Sequence, residues 1–325
     1  MKVLNQIKMF ARVLGFASTA MVSLSFVSNV VAQEKQIFNL GSEKMISLDL
    51  ISGANINVET WDSNNIEVTY DDETQDINSY KIKIVENNTG LKISSKAGQR
   101  GDMQLWFNLK VPTDTQLCLL SSGGNIKVSG LTGGLANCDS GSNDGYMKGQ
   151  NNGSVVINSK GGSVNVNSAP KGADVRTAGG SINVTNASKF VVAETGGGSI
   201  NIETKSGSVK ARTGAGKIEV KLLEGKNDSG AIDLVSGLGD IWLYVPKDFS
   251  MNLEVEIGYT ADTNGQFKVD SDFPMTLENN GKRSTSGTSR QYLVGTAQIN
   301  SAQLNNGQHN VKIKTTNGNV YIREI

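Results

Sequence analysis

Between about Val155 and Lys221 apolar and polar residues alternate, and the alternation keeps phase every eighteen residues. Val164, Ile182, Ile200 and Ile218 form one file at that spacing, and Val166, Val184, Ile202 and Val220 form a second. Half a turn away run Val155, Ala173, Val191 and Val209, then Ile157, Val175, Ala193 and Ala211. Successive side chains of a strand point to opposite faces, so each short segment carries two aliphatics on one side. A coil of about 18 residues per rung stacks every file on itself. No rung can cover its own inward face, but neighbouring rungs can. Each Val or Ile so buried contributes roughly 1.5–3 kcal/mol against the ordering entropy. The expected fold is all-β: a single-domain parallel β-solenoid, or β-helix, with a right-handed coil.

The corners are written in glycine. Gly162, Gly180, Gly198 and Gly216 fall in phase, each opening a Gly-x-(Ile/Val)-x-(Ile/Val) segment. Further copies begin at Gly124, Gly153, Gly230, Gly239 and Gly318. Gly tolerates positive φ and close backbone approach, which tight corners need. Ser159, Thr177, Thr195 and Thr213 keep the same phase. The register slips by five residues within 222–228 and is irregular over 134–152, so both stretches are expected to bulge as loops. Residues 33–115 read as N-terminal capping strands, 116–248 as regular rungs, and 249–325 as C-terminal rungs with a polar loop at 279–290. Two strands run into Val-Pro-x-Asp, at Val111–Asp114 and Val245–Asp248, where proline ends ladder pairing. Asn317-Gly318 marks a tight turn between two closing strands.

Composition fits this reading. The 37 glycines follow no G-X-Y period, which excludes collagen. Residues 1–32 carry Lys2, Lys8 and Arg12, an apolar stretch from Val13 to Val27, and Val30-Val31-Ala32. That is the layout of a signal peptide cleaved before Gln33, and the apolar stretch is too short and too Ser-rich for an anchor. The chain is therefore expected to be exported, to periplasm, outer-membrane surface or beyond, with no transmembrane segment left after cleavage. Without those three cations the 31 Lys and Arg fall to 28 against 31 acids, near −3. Nothing in that balance suits nucleic acid. Cys118 and Cys138 lie about one rung apart. An exported chain allows a disulfide between neighbouring rungs; two unpaired thiols are the alternative.

With Ser122–Val128, Val111–Asp114, the copies from Gly162 to Val220 and Thr315–Ile322 in view, the chain resembles the bacterial putative-adhesin family of unknown function. Its members are exported β-solenoids with Ser-Gly-x-Ile-x-Val repeats. The resemblance spans most of residues 45–325 and implies a fold and an envelope or surface location. It brings no catalytic or binding residues.

Candidate chemistry is sparse. The corners read Gly-Gly-Ser-Ile or Gly-Gly-Ser-Val and lack the in-phase Asp that a calcium β-roll requires. His309 is the only histidine, and no Cys/His cluster has metal spacing. No cofactor motif is present. Arg176, Glu194 and Arg212 form an outward file whose charges alternate, the pattern of a compensated ladder. Asn165, Asn183 and Asn201 form another, whose amides suit either sugar hydroxyls or one another. Trp61, Trp242 and Tyr244 are outward aromatics that either stack on sugars or cap the ends of the stack. The expected function is a non-catalytic, adhesin-like envelope or surface protein that presents a flank to a glycan or a surface protein. The alternatives are a carbohydrate-active β-helix enzyme, using Asp174 or Glu194, and a purely structural scaffold.

Overall fold

The computed structural model describes residues 34–40, 45–72, 77–87, 90–96, 105–132, 155–224, 230–260, 267–285, 288–299 and 309–325. They belong to one compact unit, Gln33–Ile325. Its strands are β1 (Glu34–Phe38), β2 (Met45–Leu50), β3 (Asn55–Thr60), β4 (Ile66–Asp72), β5 (Lys83–Asn87), β6 (Gly90–Ser95), β7 (Leu105–Val111), β8 (Gln116–Ser121) and β9 (Ile126–Ser129). There follow β10 (Val155–Ser159), β11 (Val164–Ala169), β12 (Ala173–Thr177), β13 (Ile182–Ala187), β14 (Phe190–Thr195), β15 (Ile200–Thr204), β16 (Ser208–Thr213), β17 (Ile218–Leu222), β18 (Ile232–Ser236) and β19 (Ile241–Val245). The last are β20 (Met251–Thr260), β21 (Val269–Ser271), β22 (Thr276–Thr285), β23 (Thr288–Ile299), β24 (His309–Thr316) and β25 (Val320–Glu324).

Two sheets stack face to face. From β8 to β19 the strands alternate between them, so each pair of consecutive strands makes a rung. Parallel pairing is as the eighteen-residue files require: Ile182 opposes Val164 and Ile200, and Val191 opposes Ala173 and Val209. The inward residues of both sheets form one continuous core, in which Val166, Val184, Val175 and Ala193 are fully buried. The five-residue slip is absorbed without loss of register, since Ile218 still opposes Ile241 and Val209 opposes Ile232.

Each corner is tied by a hydroxyl. Thr177, Thr195, Thr213, Ser236 and Thr315 are buried, and their Oγ atoms donate to the carbonyls of Gly162, Gly180, Gly198, Gly216 and Gly239, at 2.7–3.0 Å. Each of these carbonyls lies in the corner of the preceding rung. The corner glycine above approaches so closely that a Cβ on Gly180 would fall 1.8 Å from Gly162 O. Gly162 itself has φ +47°. The in-phase Thr file thus satisfies carbonyls that would otherwise be orphaned inside the coil.

The ends depart from sequence order. In the first sheet the order is β1-β4-β7-β3-β9-β11-β13-β15-β17-β19-β25-β21; in the second it is β22-β23-β20-β24-β18-β16-β14-β12-β10-β8-β2-β6-β5. The rung β2–β3 therefore lies between β6–β7 and β8–β9. Likewise β24–β25 lies between β18–β19 and β20–β21, parallel to both neighbours. Residues 33–115 accordingly hold two full rungs as well as capping strands. Antiparallel strands close the edges: β1 and β4 on the first sheet, β5 on the second, and β22–β23 beyond β20.

One expectation is corrected. Residues 279–290, read as a polar loop, belong to an antiparallel hairpin in which β22 pairs with β23. Hydrogen bonding to a neighbouring strand needs no apolar face, so the absence of alternation there hid the strands. The two Val-Pro corners are equivalent, with Thr115 N–H donating to Pro112 O (3.1 Å) and Phe249 N–H to Pro246 O (3.0 Å). The expected loop at 134–152 and residues 1–32 lie outside the described residues.

Candidate binding faces

The outer side of the second sheet carries the charged file. Arg176 opposes Glu194, which opposes Arg212, as the spacing requires. The Arg176 guanidinium bonds both Asp174 (3.0 Å) and Glu194, Lys210 reaches Glu194 at 3.0 Å, and Arg212 pairs with Asp233 one rung on. Burial raises the Asp174 carboxyl above its ordinary value, and the Arg176 charge opposes that rise. Further along, Lys314 pairs with Glu256 at 2.6 Å and Lys312 with Glu254 at 3.8 Å. Charge on this face is met by opposite charge in the next rung. The alternation of burial fails at Cys118 and Val156, which point outward yet are 2% and 1% exposed. Cys138, the candidate partner of Cys118, lies outside the described residues.

The outer side of the first sheet is different. Asn165, Asn183 and Asn201 stand in register, and Asn183 Nδ2 donates to Asn165 Oδ1 at 2.7 Å. The next file shows the same exchange, Thr185 Oγ1 to Asn167 Oδ1 at 3.1 Å. The flanking serines bond to the backbone of the next rung, with Ser163 Oγ accepting from Ser181 N–H and Ser181 Oγ from Ser199 N–H, both at 3.2 Å. Asn183, Thr185, Asn201, Ile202, Glu203, Glu219 and Lys221 line a shallow trough, open to solvent.

One rung beyond the trough stand aromatic rings. In register, Asn201 is followed by Glu219, Trp242 and Tyr321. Trp242 and Tyr321 stack with centroids 3.9 Å apart and planes 16° off parallel. Because they sit on adjacent rungs, their planes lie across the coil axis. The Tyr244 ring lies nearly parallel to that of Trp242, at 15° and 6.1 Å between centroids. Tyr321 covers one face of Trp242, and the other looks toward the trough. There Lys217 Nζ stands 5.2 Å from the Trp242 centroid and Lys221 Nζ 5.4 Å from that of Tyr244. Glu219 accepts from Lys217 at 2.7 Å and lies 3.7 Å from Lys221. Beyond Tyr321, Asp270 is held below the usual carboxylate value by hydrogen bonds from Lys268 and Arg323.

Two residues weighed from sequence prove structural. His309 is buried, donates from Nδ1 to Gly230 O at 3.0 Å and stacks on Phe249 at 4.2 Å. Trp61 donates its indole N–H to Asn65 O at 2.8 Å, within its own turn. Among the described residues no three His, Cys, Asp or Glu converge as a metal site, and no helix is long and apolar enough to cross a membrane. Sequence reasoning placed Trp242 and Tyr244 outward but missed Tyr321, which lies 79 residues from its stacking partner.

No family model matches the chain, and no curated protein matches it. It is similar to several solved structures. One is a putative cell adhesion protein from Clostridium sporogenes, at 12% identity, with 90% of this chain and all of that one covered and a TM-score of 0.25. A second is a putative adhesin from Bacteroides fragilis, at 11% identity, with 90% and 97% covered and a TM-score of 0.37. A third is a putative adhesin from Parabacteroides merdae, at 13% identity, with 66% and 89% covered and a TM-score of 0.29. The strand register, rather than these distant likenesses, establishes the stacked parallel fold.

Proposed function

We propose that the chain is a non-catalytic, adhesin-like protein of the cell envelope or surface, which works by presenting the outer faces of its stack to a partner. The observation that carries this reading is the mutual compensation of the second sheet's charges. Asp174 and Glu194, the carboxylates a hydrolase would need, are both engaged by Arg176, and Glu194 also by Lys210. A general acid and base must be available to substrate, and carboxylates shared among neighbouring cations suit a stable surface better. The basic and apolar stretch before Gln33 supports export. The test is an array of glycans, matrix proteins and whole cells probed with the purified chain, with reducing ends assayed in parallel. Retention without product release is expected. Uniform silence, or sugar release lost in Glu194→Gln, would overturn the reading.

A further inference from the structure

We infer that the trough on the outer face of the first sheet, with the Trp242 ring one rung beyond it, is a binding site for a neutral, polyhydroxylated glycan. This rests on the reading that the flank binds a partner, and it names the face and the ligand class.

Three features converge. The first is the donor and acceptor set. Amide, hydroxyl, carboxylate and ammonium groups, from Asn183, Thr185, Asn201, Glu203, Glu219 and Lys221, line one depression. A sugar hydroxyl both donates and accepts, so it pairs with any of these, whereas an apolar ligand would strand them. The second is the wall. Trp242 presents the side not covered by Tyr321, and an aromatic face suits the C–H face of a pyranose. The third is charge. Glu203 and Glu219 balance Lys217 and Lys221, so the trough and its edge carry no net charge to hold an anionic polymer.

Lys217 and Lys221 cover the wall, but their side chains are 46% and 43% exposed. An exposed cation over a ring is weakly held, so a sugar can displace it. On the second sheet's outer face the described carboxylates Asp174, Glu194 and Asp233 are held by Arg176, Lys210 and Arg212.

The experiment titrates the purified chain with unsubstituted β-glucan and mannan as neutral probes and with polygalacturonate as the acidic one. Asn201→Trp fills the trough and Trp242→Leu removes the wall; each is expected to weaken neutral-glycan binding by about tenfold or more. Lys314→Ala, on the opposite sheet, is expected to leave it unchanged. In a Trp61→Phe, Trp106→Phe background, tryptophan emission reports Trp242 alone and is expected to shift on binding. Should Trp242→Leu fail to fold, Asn201→Trp and the emission shift still decide. Binding of polygalacturonate but not of the neutral probes overturns the inference, as does neutral binding indifferent to both variants. If every glycan is silent while a matrix protein or cell is retained, the inference falls and the adhesin reading stands. Silence throughout removes both.

Discussion

Thr195 joins two rungs through one oxygen: its hydroxyl donates to Gly180 O and accepts from Gly198 N–H. Valine has nearly the same shape but would leave that buried carbonyl without a partner. Thr195→Val is expected to cost about 1–3 kcal/mol in denaturant unfolding, with Thr195→Ser losing less. The glycine beside it offers a sharper comparison. A Cβ at Gly180 meets backbone oxygen at 1.8 Å, whereas one at Gly179 meets nothing within 4 Å. Gly180→Ala is therefore expected to cost at least about 3 kcal/mol and Gly179→Ala to stay within about 0.5 kcal/mol. Equal effects in melting experiments would mean that the corners do not stack. Asp174 makes a prediction of opposite sign to most carboxylates. Burial raises it above 3.8, so the folded chain holds its proton more tightly than the unfolded one. Between 3.8 and the raised value this group adds stability as pH falls and loses it as pH rises. Denaturation followed across that window should show the wild type gaining on Asp174→Asn upon acidification.

At the level of strands, the rungs from β10 to β17 were legible because each repeats its burial pattern at a fixed interval. Val164, Ile182, Ile200 and Ile218 declare their stacking without reference to anything distant. The Thr file was legible too, although its purpose was not, because a hydroxyl's partner one rung away leaves no local mark. The hairpin β22–β23 was hidden by its polar composition. The aromatic wall was half visible. Trp242 pairs with Tyr321 only because β25, rather than β21, follows β19 in the sheet, and no periodicity encodes that substitution. On the outer faces, the Asn and Arg–Glu–Arg files stand in the register that their spacing required. What the ladders bond, and that one of them ends at rings, emerges only once the strands are folded together.

For the molecule as a whole, the interleaved rungs change where stability should be concentrated. In a simple stack the strands nearest the ends of the sequence fray first. Here β24 is hydrogen-bonded on both sides, by β18 and β20, and β2 by β6 and β8. Native-state hydrogen exchange is expected to find the amides of Val311 and Ile313 as protected as those of Ile232 and Leu234, and more protected than those of β21, an edge strand. Fast exchange in β24 would contradict the pairing.

The same interleaving bears on how the protein comes to be made. A ribosome delivers residues 251–271 well before 309–325, yet the earlier segment stacks on the later one. Until the last strands emerge, β20 has only β23 beside it and β21 has no neighbour, so the growing coil stops at β19 with both its parallel edges bare. Closure then comes in one late step that inserts a plate and seats the cap together. A nascent chain halted short of residue 309 would keep those bare edges, which chaperones, proteases or a sister chain could seize.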